Sequence, residues 1–67
     1  MTPTPPDGWL SSKLPNGVTV LAHESGRGLP VYLRPAGRGW RIEVMRQGGD
    51  CVQCKTLAVA VGVALAG

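Results

Sequence analysis

Polar and apolar positions alternate in four short runs along this chain, and glycine-rich turns separate the runs. Val18 to His23, Val31 to Arg34, Trp40 to Arg46 and Cys51 to Lys55 change character nearly every second residue, the period of a half-buried strand. Turn signals stand at Asn16-Gly17, Gly26-Arg27-Gly28, Gly37-Arg38-Gly39 and Gly48-Gly49, about ten or eleven residues apart. That spacing predicts an antiparallel meander. In the third run Trp40, Ile42 and Val44 share one face, while Arg41, Glu43 and Met45 share the other. In the second, Val31 and Leu33 oppose Tyr32 and Arg34. Pro30 and Pro35 bracket that second run and keep it short, because proline cannot donate to a sheet ladder.

A sheet with one apolar face needs a cover, and the last run supplies it. Thr56 suits a helix N-cap, and after it every residue to the end is apolar or glycine. Leu57, Val61, Ala64 and Leu65 form one helical stripe. The valines and Gly62 lower intrinsic helicity, so the helix is expected to depend on packing against the sheet. It is apolar nearly all round, more than a small domain can bury alone. A second copy or another protein is therefore expected over Trp40, Leu57, Val61 and Leu65. The apolar run is about eleven residues long against roughly 20 for a membrane span, so no span is expected.

The fold class that follows is α+β: a small antiparallel meander of three to four strands with one C-terminal helix packed on one face. Residues 1–8 are Pro- and Thr-rich without an apolar pattern and read as a disordered arm; residues 9–67 read as the single small domain. Residues 51–55 either extend the sheet or begin the helix. Gly26 to Leu33 can be laid on Gly37 to Val44 with coincident apolar positions, either a duplicated unit or shared turn chemistry.

Composition narrows this picture. At 67 residues the chain holds one domain with a thin core, since it has no Phe and only Trp9 and Trp40 as large pieces beside one Tyr. Ten Gly and six Pro fit short strands and tight turns rather than a helical bundle. Seven Lys and Arg exceed four Asp and Glu, giving a formal charge of +3, which suits either a phosphate-bearing partner or a solvated surface. The opening residues lack a basic and then apolar leader, so a cytoplasmic protein with reduced cysteines is expected.

Candidate chemistry is sparse. Cys51-x-x-Cys54 with His23 falls short of the four ligands of a closed zinc site, and an offset of three along a strand sends two sulfurs to opposite faces. Cys51, Cys54 and His23 are weak metal candidates that would need a dimer or a carboxylate such as Asp50 to close a site, and a redox pair is the other alternative; a structural role for the cysteines is expected. The carboxylates Asp7, Glu24, Glu43 and Asp50 form no spaced pair for acid–base work, and His23 has no nucleophile at a recognisable motif. The two Gly-Arg-Gly turns are not phosphate loops. A non-enzymatic protein without a cofactor is expected. What remains is a basic set with one aromatic: Tyr32, Arg34, Arg38, Arg41, Arg46 and Lys55, joined by Gln53, with Arg27 and Arg38 expected at turn tips at the same end. Arginine forks pair with phosphate or guanine, and a two-stranded ribbon fits a DNA major groove.

The order of elements over residues 30 to 66 resembles the AP2-type DNA-binding domains and the related arm-type domains of phage integrases. The residues that carry the resemblance are the strand Gly39-Trp40-Arg41-Ile42-Glu43-Val44, the Gly48-Gly49 turn, and Thr56-Leu57 opening an Ala-rich helix. It implies three antiparallel strands, a packing helix, and groove contact through the exposed sheet face, with Arg34, Arg41 and Lys55 as readers. The helix departs from that pattern in lacking a polar outer face. HicB-like antitoxins and double-stranded-RNA-binding domains share the element order. Two functions are thus expected from the sequence: a small DNA-binding regulatory module using a basic sheet face, or a protein-interaction module, an inhibitor or adaptor, that binds a partner or itself through the apolar helix.

Overall fold

A computed structural model describes residues 4–66 of the chain. Five strands, β1 (Trp9–Lys13), β2 (Thr19–His23), β3 (Val31–Ala36), β4 (Gly39–Met45) and β5 (Cys51–Cys54), are followed by one helix, α1 (Leu57–Ala66). The strands lie side by side in chain order, every neighbouring pair antiparallel. The α+β class and the meander are as the alternation predicted, with one strand more than expected. That strand, β1, has only Trp9 buried; Leu10-Ser11-Ser12-Lys13 carries no alternation because the rest of this edge strand faces water.

Register fixes which side chains share a face. Val31, Leu33, Ile42 and Val44 stand opposite one another across β3 and β4, and Leu21 joins them from β2 opposite Val31. Leu21, Val31, Leu33 and Val44 are the largest fully buried side chains. α1 lies over this face through Ala60 and Ala64, both fully buried, with Leu57, Val61 and Val63 half-buried around them. Small residues on the inner stripe let the helix axis approach the sheet closely. Leu65 is a correction: it was expected on that stripe, but it is 48% exposed, because the inward direction runs through Ala60 and Ala64 and leaves it on the outer side. Trp9 closes the far end of the core, edge-on to His23 with ring centroids 5.5 Å apart; Trp40 packs half-buried against the core at the other.

Strand boundaries differ from expectation at several ends: β2 begins at Thr19 rather than Val18, β4 at Gly39 rather than Trp40, and β3 runs past Arg34 through Pro35, which pairs with Trp40, to Ala36 rather than stopping before the proline. β4 stops at Met45, and Arg46 begins a turn that its own N–H closes on the Asp50 carbonyl at 2.7 Å. β5 stops at Cys54, so Lys55 lies in the bend before α1. Thr56 caps the helix as its position predicted: its Oγ1 accepts the Val59 N–H at 3.2 Å. Within the expected N-terminal arm, the Pro6 carbonyl accepts the Trp9 N–H and the Gly8 carbonyl accepts the Glu24 N–H; residues 1–3 lie outside the described residues.

Candidate nucleic-acid interface

The face of the sheet away from α1 carries part of the basic set, Arg34 and Arg41 with Tyr32. Arg34 and Arg41 are direct cross-strand partners on β3 and β4, and the next pair on the same face is Tyr32 opposite Glu43, continued by Gln53 opposite Glu43 on β5. The last ladder pair of β4 and β5 is Ile42 with Cys54, and Lys55 follows in the exposed bend that leads to α1. With strands about 4.8 Å apart, Arg34 and Arg41 stand side by side on this face. Arg38 sits at the tip of the β3–β4 turn beyond them.

Like charges directly opposite each other in a sheet are unfavourable, and Glu43 offsets part of that cost. Its Oε1 accepts from the Arg34 Nε at 2.6 Å, with the Glu43 side chain only 14% exposed. The bond uses the Nε of Arg34 and leaves the donors on its terminal nitrogens out of that pair. Among the described residues, no carboxylate pairs with Arg41.

The antiparallel order also sorts charge along the strands. Turns β1–β2 and β3–β4 and the start of α1 lie at one end, while turns β2–β3 and β4–β5 lie at the other. Lys13, Arg34, Arg38, Arg41 and Lys55, five of the seven basic residues, fall at or toward the first end. Asp7, Glu24 and Asp50 fall at the second together with Arg27 and Arg46. Two expectations are corrected here. Arg27 and Arg38 are at opposite ends, because consecutive turns of a meander alternate. Arg46 does not join Arg34 and Arg41, because it stands past β4 on the helix side, where it lines a groove with Leu29, Val63 and Ala66. The first follows from strand direction, which can be counted from the turns alone, and the second from alternation, which sets Arg46 on the side of Ile42 and Val44.

The sulfur pair behaves as a strand dictates. Cys51 lies on the outer face opposite Met45, its Sγ 3.6 Å from the Met45 Sδ. Cys54 lies on the core face opposite Ile42. Both are free thiols. His23 is at the far end of β2, its Nδ1 2.7 Å from the Ser25 Oγ, and among the described residues no group of His, Cys, Asp and Glu gathers to hold a metal ion. Of the residues expected at a partner surface, Leu57, Val61 and Trp40 are half-buried against the core and Leu65 points outward. Among the described residues no helix is long and apolar enough to cross a membrane. The chain matches no family model, and no curated protein and no solved structure matches it.

Proposed function

We propose that this chain is a small non-catalytic nucleic-acid-binding module that lays the outer face of the β3–β4 ribbon on a duplex. The observation that supports it is the cross-strand pair Arg34 and Arg41, with Tyr32 next on the same face, on the side of the sheet that α1 leaves uncovered, and with Arg38 at the adjoining turn and Lys55 in the bend after β5. Concentrating five basic residues toward one end makes a local positive field much stronger than the net charge of +3 suggests. Guanidinium forks on a two-stranded ribbon suit phosphates and guanine edges of a major groove, and Tyr32 supplies an aromatic edge to the same surface. This use of the sheet is also what the resemblance to AP2-type and integrase arm-type domains implies. Arg46, on the other side of the molecule, is left out of the reader set.

The test is fluorescence anisotropy of a labelled duplex across a salt series. Binding at low salt should weaken steeply as salt rises, and Arg41→Ala should flatten the log–log slope by about one phosphate contact. Glu43→Gln should tighten binding a few-fold by removing the carboxylate from the face. Arg46→Ala should leave the slope nearly unchanged. Absence of duplex binding at low salt, or equal losses from Arg41→Ala and Arg46→Ala, defeats the proposal. A second reading, an adaptor that binds a protein through α1, is favoured by the exposed Val59 and Leu65 and predicts partner binding almost indifferent to salt.

A further inference from the structure

We infer that the outer face of α1, centred on Gly62, is the surface through which two copies of this chain associate, helix against helix and antiparallel. The residues of α1 that face water are Ala58, Val59, Gly62, Leu65 and Ala66. None is polar, and Val59 and Leu65 are 52% and 48% exposed. Their spacing is symmetric about Gly62, with aliphatic residues three positions away and alanines four positions away on either side. A two-fold axis crossing the helix at Gly62 sets Val59 of one copy against Ala66 of the other, and Leu65 against Ala58. Each large side chain then meets a small one, as an isologous interface requires, and glycine faces glycine, where two helix backbones approach most closely.

Gly62 has no explanation inside its own fold. A Cβ there would meet nothing within 4 Å, and glycine is among the poorest residues for a helix interior. An open helical glycine on an apolar face fits a second backbone lying over it. Charge selects the antiparallel direction and the identity of the occupant. The first turn of α1 has no acid and its last turn no base, so neither end of the helix dipole is answered from within the helix. Lys55 adds a positive charge just before the N-terminal end, where that dipole disfavours it. A parallel pair would bring two Lys55 side chains together. An antiparallel pair sets each Lys55 toward the C-terminal end of the other copy's helix, where the dipole favours a positive charge. The uncharged face is also where two positively charged molecules meet without opposing charges. A ten-residue helix is only about 15 Å long, so the dimer is weak and reversible, with Kd on the order of 10–100 µM. The inference shares Lys55 with the nucleic-acid reading and otherwise uses the opposite side of the molecule from Arg34 and Arg41.

Sedimentation of the full chain over a concentration series tests it, with circular dichroism as the control for folding. The expected result is a monomer–dimer equilibrium abolished by Leu65→Lys and, independently, by Val59→Lys. Gly62→Ala gives opposite signs in two readouts. The monomer's thermal stability rises, because alanine favours the helix and has room, while association weakens by about ten-fold. A wild-type chain that stays monomeric to about 1 mM overturns the inference. So does a dimer that survives both lysine variants, or a Gly62→Ala chain that associates as well as wild type. A monomer that instead binds zwitterionic lipid vesicles through Leu65 also overturns it and assigns the face to a lipid surface.

Discussion

Gly28 and Gly39 occupy matching places in the two Gly-Arg-Gly turns, yet the fold asks different things of them. A Cβ on Gly39 would meet nothing within 4 Å, whereas one on Gly28 would stand 2.8 Å from the Ala64 carbonyl oxygen, with Gly28 at φ +76°. That carbonyl also accepts the Leu29 N–H at 3.0 Å, so the β2–β3 loop satisfies one of the free carbonyls at the end of α1. Gly28→Ala should therefore destabilise the chain by about 2 kcal/mol or more, through backbone strain and displacement of the loop from the helix. Chemical denaturation measures it, and a loss below about 0.5 kcal/mol sinks this account of Gly28. The repeated Gly-Arg-Gly motif was visible in the sequence, but its division of labour was not. One copy is a hairpin tip and the other a helix clasp, a difference set by a neighbour in space 36 positions further on. Glu43 shows the opposite case. Alternation placed it beside Arg34 and Arg41, and the structure adds only that its carboxylate joins Arg34.

At the scale of elements, legibility tracked how many of a segment's side chains meet the core. β3 and β4 contribute Val31, Leu33, Ile42 and Val44 to it, so their alternation is complete and their faces were readable to the residue. β1 contributes Trp9 alone and left no period to detect. α1 was readable as a helix, and of its expected inner stripe Ala64 is fully buried and Leu57 and Val61 are half-buried on the core, with Leu65 alone outside it. An all-apolar sequence has no polar face to mark the outside, and the stripe chosen from the large residues was displaced toward Leu65. Ala60, which the stripe omitted, is fully buried beside Ala64, because small residues permit close approach. A helix with so little intrinsic preference and so few large inward side chains depends on its ends. Thr56→Ala removes the Oγ1 acceptor for the Val59 N–H and should cost about 1 kcal/mol. In a domain this small that lowers Tm by several degrees, while the outer sheet face keeps Arg34 and Arg41. Unchanged Tm in a melt of the Thr56→Ala chain would show that packing alone holds the first turn.

At the scale of the whole molecule, the two faces of the sheet carry opposite kinds of surface. Arg34 and Arg41 lie on one, and the apolar outside of α1 lies beyond the other. A dimer joined through its helices cannot bring both arginine pairs onto one duplex, since they point away from each other. It presents them to two separate duplexes. If both proposals hold, the chain at concentrations above its dimer Kd should bridge duplexes and raise light scattering from long DNA at low salt. Leu65→Lys should bind the same DNA at least as tightly, because it adds a positive charge without touching Arg34 or Arg41, yet raise no scattering. Arg41→Ala should weaken binding and scattering together. Scattering that persists in Leu65→Lys would detach bridging from the helix face, and wild-type binding without scattering would show that the dimer and the duplex exclude each other.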